Sequence, residues 1–174
     1  MKTDIRPETK DDFKDIRAVN VAAFGPEGQG KAAFVDKLRQ TKRFVPELSL
    51  TAKHYGKVVG HILFYPIDIL QGDKKVETLS LALLSVLPAF QNKGVGSKLV
   101  KVGLSKAKKL DFQSVIVLGH EKYYPRFGFT PLSTYGITST INEPDHILMA
   151  LELEPETLKT VNGILQYPEE FDGV

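Results

Sequence analysis

The stretch 84–97 carries the residues whose types and spacing point most directly to chemistry. A buried strand is predicted to run into a turn that contains two glycines, Gly94 and Gly96, at the start of a predicted helix. The first amides of a helix have no intrahelical acceptor and lie at the positive end of its dipole, so they favour phosphate groups. Lys93 and Lys98 add positive charge beside the turn. The segment therefore predicts a phosphate-binding site.

The spacing of these glycines departs from two common phosphate motifs. A Walker A loop requires Gly-Lys followed by Ser or Thr, whereas here Gly96 is followed by Ser97 and then Lys98. A dinucleotide fingerprint requires a third glycine three residues after the second, and that position is Leu99. The segment matches neither motif.

The spacing does fit Gln-x-x-Gly-x-Gly, formed by Gln91, Gly94 and Gly96 after a strand that ends in Val86-x-Pro88. This arrangement resembles the pyrophosphate loop of the GNAT superfamily of N-acetyltransferases. The alternative explanation of the two glycines is an ordinary turn at the start of a helix.

A second segment extends the resemblance. Residues 121–129, Glu-Lys-Tyr-Tyr-Pro-Arg-Phe-Gly-Phe, are similar to the second characteristic segment of GNAT proteins, in the form found in small YhbS-like predicted acetyltransferases. The resemblance covers most of the chain. It implies an α/β (α+β) fold, with a mixed, mostly antiparallel central sheet whose parallel central strands splay apart between flanking helices. It also implies acetyl-CoA as cosubstrate and transfer of the acetyl group, by direct attack on the thioester, to a primary amine of a small molecule or peptide.

The same resemblance assigns contacts with the cofactor. The pantetheine arm of CoA would insert between the splayed strands, along the backbone of Leu84 and Val86, and the Val86 amide would stabilise the oxyanion. The pyrophosphate would be held by Gln91 and by the main-chain amides of the loop, which belong to Lys93, Gly94, Val95, Gly96 and Ser97.

Acetyl transfer also needs a proton for the leaving thiolate. In GNAT proteins a tyrosine four residues before the glycine of the Gly-Phe pair commonly supplies it, and that position is Tyr124, with Tyr123 as a neighbouring alternative. The resemblance therefore implies that Tyr124 is the general acid. The competing explanation is that these tyrosines only pack against the phenylalanines that follow.

The general base is not assigned by the resemblance. Several relatives place a glutamate on the central strand, but counting back from Gln91 puts Ser80 at that position. Glu77, near the start of the strand, and His120, after the end of the next strand, are candidate bases. A solvated strand-end charge for Glu77 and a capping or turn residue for His120 are the simpler explanations. His61 lies inside an apolar strand and is expected to be a buried neutral histidine. A water relay without a single base is the remaining alternative.

The acceptor is expected near the loop 25–30 and the region 135–146. Glu27, Glu143 and Asp145 are the candidate contacts with its ammonium group. The missing strand glutamate also supports an alternative from another class of protein, a catalytically weak acyl-CoA-binding sensor or structural module of the same fold.

Hydrophobic periodicity predicts the elements that position these residues. A capping box at Thr9 and Asp12 predicts the start of the first helix. A strand, a helix and a parallel strand at 77–86, 94–110 and 114–118 form a predicted βαβ unit. The other predicted strands are 1–6, 48–54, 58–65 and 147–153, and the other predicted helices are 13–24, around 34–38, a short one at 121–127 and one in the tail after 155.

Length and composition limit the remaining choices. The chain has 174 residues, so we expect an acetyltransferase domain over 1–154 and a C-terminal extension over 155–174 packed on it. It has no cysteine, and its four histidines lack metal-ligand spacing, so no metal is expected. Its 23 basic and 21 acidic residues favour no nucleic-acid partner, and the lysine-rich helix is expected to be a solvated face. No apolar run is long enough for a bilayer and no secretory signal is evident, which predicts a cytoplasmic monomer or homodimer without a membrane partner.

Overall fold

The computed structural model describes all 174 residues. Its chain forms two compact units, the first made of residues 1–65, 82–106 and 170–174, and the second of residues 66–81 and 107–169. Two long strands, β3 (Lys57–Gln71) and β4 (Lys74–Val86), contribute residues to both units. None of the helices combines the length and the apolar character needed to cross a lipid bilayer.

The first unit begins with β1 (Asp4–Pro7), α1 (Phe13–Phe24), α2 (Gly28–Arg39) and β2 (Ser49–His54). The predicted capping box forms at the 3-10 turn Lys10–Asp12 just before α1. The Thr9 amide donates to the Asp12 carboxylate at 2.8 Å, and the Thr9 side chain accepts from the Asp12 amide. Strands β1, β2 and β3 are antiparallel neighbours. Their alternating apolar residues and the buried stripe of α1 form the core of this unit.

Helix α3 (Val95–Lys109) packs closely on β3 within the first unit. A Cβ on Gly103 would lie 2.2 Å from Cε2 of Phe64, and one on Gly60 would lie 3.0 Å from Cδ1 of Leu99. Glycine at these two positions therefore lets the helix and the strand approach each other. This packing fixes the position at which α3 begins, and therefore also the end of the loop that precedes it.

The second unit contains the parallel pair of β4 and β5 (Ser114–Leu118), with Leu79 opposite Val115 and Ser80 opposite Ile116. Strand β5 pairs antiparallel with β8 (Leu148–Glu152), and β8 pairs antiparallel with β6 (Thr130–Pro131). Strand β9 (Ile164–Gln166) pairs with residues 68–70 of β3 and with the two-residue strand β7 (Thr138–Ser139). The sheet is thus mixed and mostly antiparallel, as the sequence predicts.

Several details differ from the sequence prediction. The predicted tail helix is wrong: Leu158 and Val161 are buried in turns, and the chain then forms β9. Of the predicted loop 25–30, only Gly25–Glu27 lies outside a helix, as a 3-10 turn. Helix α2 begins at Gly28, which approaches Val21 too closely for a side chain. Strand β4 is not fully covered, because Leu84 and Val86 are only half-buried.

Candidate active site

The end of β4 presents main-chain groups along one edge. The amide of Leu87 donates to the carbonyl of Val59 at 2.9 Å, so this amide faces β3. Because successive residues of a strand direct their main-chain groups to opposite edges, those of Val86 and Leu84 face away from β3. Both residues are half-buried, while Ser85 between them is buried. The pantetheine arm of CoA is predicted to lie along this edge.

Gln91 is bound to the strand that precedes it. A 3-10 turn at Pro88–Phe90 follows the strand, and Nε2 of Gln91 then donates to the carbonyl of Val86 at 3.0 Å. The side-chain amide nitrogen therefore closes the turn between strand and loop. The second hydrogen of Nε2 is left for the predicted contact of Gln91 with pyrophosphate.

The loop after Gln91 has the backbone of an anion site. Asn92 and Gly94 have positive φ angles of 61° and 84°, and a Cβ on Gly94 would meet no atom within 4 Å. Crowding by the protein therefore does not explain the glycine, and the space beside it is open to a ligand. The carbonyl of Gly94 accepts the amide of Lys98 at 3.0 Å as α3 begins, so the amides of Val95 and Gly96 precede the intrahelical ladder.

The two lysines beside the loop have different roles. Nζ of Lys98 donates to the main-chain carbonyl of Thr3 and lies 3.4 Å from its hydroxyl, so this ammonium group ties α3 to the start of the chain. Lys93 is exposed, with Nζ 6.0 Å from the ring centre of Phe90. The ammonium group of Lys93 therefore extends into solvent beside this loop, whereas that of Lys98 keeps its charge near the loop but is bound to the start of the chain.

A buried hydrogen bond that the sequence analysis missed also fixes the end of β4. Ser85 Oγ donates to Oδ1 of Asn20 at 2.5 Å, and both residues are buried. Nδ2 of Asn20 is buried without a partner. The available signal was a polar residue on the apolar stripe of α1, four positions after Ile16. Asn20 therefore anchors the strand from the face opposite to the half-buried one.

In the second unit, Tyr124 lies in a 3-10 turn that follows β5. The amides of Tyr123 and Tyr124 both donate to the carbonyl of His120, at 3.1 and 3.3 Å. The Tyr124 ring packs edge-on against Phe129, with 5.7 Å between ring centres, and against Tyr123 at 5.2 Å. A Cβ on Gly119 would lie 2.8 Å from Cε2 of Tyr124, so glycine at that position makes room for the ring.

The surroundings of Tyr124 keep its hydroxyl protonated. Burial, assisted by the neighbouring Tyr123, raises the pKa of Tyr124 well above its ordinary value of 10.0. Only 6% of the residue is exposed. The phenol is therefore a neutral hydrogen-bond donor throughout the physiological pH range, which is the protonation state that a general acid requires.

The two candidate bases, Glu77 and His120, lie in different parts of the structure, one on β4 and the other after β5. Glu77 is exposed near the N-terminal end of β4, whereas Leu84 and Val86 lie at its C-terminal end. Ser80 is 3% exposed and paired with Ile116, so no carboxylate occupies that position. The side chain of His120 is exposed, and its carbonyl organises the turn before Tyr124.

Of the predicted ammonium contacts, Asp145 accepts a hydrogen bond from Ser133 Oγ at 2.8 Å in the second unit. Glu143 is exposed two residues before it. Glu27 is exposed in the turn between α1 and α2, in the first unit. All three carboxylates are accessible to solvent.

A buried polar cluster in the first unit was also missed. Nε of Arg39 donates to Oε2 of Glu8 at 2.7 Å, and Ser49 Oγ donates to Oε1 of the same carboxylate. Ser49 Oγ also lies 2.9 Å from Nε2 of His61. The side chains of Glu8 and Arg39 are only 3% and 8% exposed. Their separation along the chain left no local signal for this cluster.

Proton positions in this cluster follow from the contacts. The single proton of Ser49 points to Glu8, so Nε2 of His61 carries the proton of the contact with Ser49, and the buried Nδ1 has no partner. Burial lowers the pKa of His61 in spite of the Glu8 carboxylate. Burial alone would raise the pKa of Glu8, but its contacts with His61, Arg39 and Ser49 lower it. His61 is thus the buried neutral histidine expected from the sequence.

Comparison with known proteins gives one family. A model of the acetyltransferase (GNAT) family matches residues 13–129. The uncharacterised N-acetyltransferase YjhQ of Escherichia coli K12 is 41% identical over 123 residues, which make up 70% of this chain and 66% of YjhQ, just under two thirds. The uncharacterised N-acetyltransferase YhbS of the same organism is 27% identical over 168 residues, covering 97% of this chain and 98% of YhbS.

Solved structures show the same fold. YhbS from Escherichia coli, in complex with CoA, superposes with a TM-score of 0.89 at 24% identity and covers 98% of this chain and 92% of its own. A GNAT family acetyltransferase from Brucella melitensis, in complex with acetyl-CoA, gives a TM-score of 0.79 at 32% identity and covers 98% of this chain and 99% of its own.

Proposed function

Because the chain belongs to the GNAT family of acetyltransferases, we propose that it transfers the acetyl group of acetyl-CoA to a primary amine of a small molecule or peptide. The observation that carries the proposal is the turn at Gly94, with a positive φ and open space, followed at once by the amides of Val95 and Gly96, which precede the intrahelical ladder. A phosphate fits this geometry. The Brucella relative, which holds acetyl-CoA, supports the identity of the cofactor.

The cofactor contacts in this proposal follow the geometry of the first unit. The pyrophosphate binds the main-chain amides of Lys93, Gly94, Val95, Gly96 and Ser97, with Gln91 closing the turn and the exposed Lys93 ammonium opposite the negative charge. The pantetheine arm runs along the edge of Leu84 and Val86, whose main-chain groups face away from β3.

The chemistry in the proposal needs one electrostatic donor and one proton donor. As the amine attacks the thioester carbonyl, negative charge develops on its oxygen, and the Val86 amide donates to that oxygen. The carbon–sulfur bond then breaks, and Tyr124 gives its proton to the leaving thiolate. Tyr124 recovers a proton from the nitrogen of the new amide through solvent. Carboxylates at Glu27, Glu143 and Asp145 attract the acceptor as an ammonium ion.

A panel assay tests the proposal. The chain is incubated with acetyl-CoA and single amines, which include alkylamines, polyamines, amino acids and short peptides, and the release of thiol is measured. We expect turnover with at least one amine and an acetylated product of the correct mass. A released thiol without an acetylated amine would indicate hydrolysis and contradict the proposal.

The alternative function is an acyl-CoA-binding module with little catalysis, and the buried Ser80 in the place of a strand glutamate favours it. Calorimetric titration with CoA separates the two functions. Tight binding of CoA with no turnover on any amine supports the binding module, whereas turnover supports the enzyme.

A further inference from the structure

A histidine and a glutamate from different segments meet in the second unit. Nε2 of His146 lies 3.6 Å from Oε2 of Glu121. Their side chains are 59% and 52% exposed, so both can be reached by a dissolved acceptor. His146 belongs to the short turn Asp145–Ile147 before β8, while Glu121 follows β5.

This pair is tied to the Tyr124 segment through one residue. The amide of Gly119 donates to the carbonyl of Ile147 at 2.9 Å, which places the turn of His146 against the end of β5. The Cα of the same Gly119 faces the Tyr124 ring so closely that a Cβ would lie 2.8 Å from Cε2. The imidazole and the phenol are thus carried by segments that both contact Gly119.

We propose that His146 is the general base that deprotonates the acceptor ammonium, and that Glu121 is its positioning residue. The inference rests on the proposed acetyl transfer. The Glu121 carboxylate favours a proton on Nε2 of His146, which leaves the lone pair of Nδ1 to accept the proton of the amine. The central-strand position at which several relatives carry a glutamate is Ser80 in this chain.

The other charges near the pair suit an ammonium substrate. Asp145 adjoins His146 and is held by Ser133. Glu143 precedes it on the same segment, and His120 and Lys122 flank Glu121. The carboxylates of Glu121, Glu143 and Asp145 outnumber the one lysine beside the exposed imidazole. The local charge therefore attracts a cation towards His146.

The protons balance through the reaction. The ammonium ion loses one proton to Nδ1 of His146, which releases it to solvent, and the neutral amine forms the new carbon–nitrogen bond. The carbon–sulfur bond breaks and the thiolate takes the proton of Tyr124. The nitrogen loses its second proton as the amide forms, and that proton restores Tyr124. The products are the amide, the thiol and one released proton.

The test is the pH dependence of kcat/KM with the best amine of the panel, for the full chain and for His146→Gln. A lost base matters most where the amine is protonated, so we expect a loss of at least tenfold at pH 7 that shrinks to less than about threefold as the pH approaches the amine's own pKa. Glu121→Gln is expected to give a smaller loss that depends on pH in the same way. Added imidazole is expected to restore part of the activity of His146→Ala.

His54→Gln is the matched control, because His54 lies on the β2–β3 hairpin, where its Nδ1 contacts the Lys2 carbonyl, and we expect an unchanged profile. An equal loss at every pH in His146→Gln, or no loss, would overturn the inference while the acetyl transfer stands. The same holds if His120→Gln gives the pH-dependent loss instead. If the unaltered chain acetylated none of the amines, the proposed function would be wrong, and so would this inference.

Discussion

Tyr124 combines a buried ring with a pKa that burial raises above its ordinary value. A phenol that stays protonated stabilises a leaving thiolate only when it is placed beside the sulfur, so its contribution appears in turnover and not in cofactor affinity. We predict that Tyr124→Phe lowers kcat at least tenfold and changes the KM for acetyl-CoA by less than about twofold. Steady-state thiol release over a range of acetyl-CoA concentrations measures both constants.

The neighbouring tyrosine provides the comparison for this prediction. The Tyr123 ring meets both Tyr124 and Phe127 edge-on, at 5.2 and 5.3 Å, so Tyr123→Phe keeps the aromatic packing. A larger loss of kcat in Tyr123→Phe than in Tyr124→Phe would assign the acid to Tyr123. Equal kcat values for Tyr124→Phe and the unaltered chain would remove the acid role from Tyr124.

His61 and Glu8 predict that the protein is less stable in acid. The pKa of each is lower in the folded chain than its ordinary value, 6.5 for the histidine and 4.5 for the glutamate, so the unfolded chain binds more protons in acid. The free energy of unfolding should fall below about pH 6.5 through His61, by up to about 1.4 kcal/mol per pH unit, and fall further below about pH 4.5 through Glu8. Urea unfolding between pH 7.5 and 4 measures this dependence.

A substitution isolates the histidine. His61→Gln, whatever its stability at pH 7.5, is expected to lose most of the slope between pH 6.5 and 5, whereas His54→Gln, at a half-buried position of the hairpin, keeps it. An unchanged slope in His61→Gln would show that another group controls the acid response.

At the scale of elements, Gln91 links the end of β4 to the start of the loop. Its amide donates to the Val86 carbonyl at 3.0 Å, and one such hydrogen bond contributes about 0.5–1.5 kcal/mol. We predict that Gln91→Ala raises the KM for acetyl-CoA about threefold to tenfold with a smaller change in kcat. Gln40→Ala, on an exposed glutamine at the end of α2, is the control, and equal KM values for the two variants would contradict the role.

The packing of α1 on α2 predicts opposite changes in the free energy of unfolding for two glycines of α2. A Cβ on Gly28 would lie 2.2 Å from the carbonyl oxygen of Val21, whereas a Cβ on Gly30 would meet nothing within 4 Å. Gly28→Ala should therefore lower the free energy of unfolding by about 1–3 kcal/mol. Gly30→Ala should raise it by up to about 1 kcal/mol, because alanine is the better helix former. Urea midpoints of both variants test the pair, and losses of equal size would contradict the packing argument.

Helices and strands could be predicted from the sequence where the hydrophobic pattern of the segment itself determines them. Strand β5 was predicted with its observed bounds, and α3 within one residue at each end, because each has its own periodicity. The tail failed because Leu158, Val161 and Leu165 also suit a helix. What decides its structure is the pairing of Leu165 with Ile69, a residue far earlier in the chain. Strands β6 and β7, of two residues each, depend in the same way on distant partners.

At the scale of the whole molecule, some parts of the candidate site lie within one short segment, and others form only where distant segments meet. The glycine loop and Tyr124 could be predicted, because each lies within one short segment that resembles the family. The contacts of His146 with Glu121, and of Arg39 with Glu8, could not, because the partners come from separate segments and only the fold brings them together. A sequence states which side chains are available, and long-range pairing decides which of them meet.

Binding of the cofactor should be visible as stability of the whole chain. A ligand that binds only the folded state stabilises it by RT ln(1 + [L]/Kd), about 2.7 kcal/mol at a hundred times Kd.

Gly94 and Gly72 form a matched pair, because both have positive φ, 84° and 60°, and a Cβ on either would meet nothing within 4 Å. Each change to alanine should cost about 1–2 kcal/mol of backbone strain. Gly94→Ala alone should also place a methyl group where the phosphate binds. We therefore predict that CoA raises the unfolding midpoint of the unaltered chain and of Gly72→Ala equally, and that of Gly94→Ala far less. Equal shifts in both variants would mean that CoA is not held at this loop.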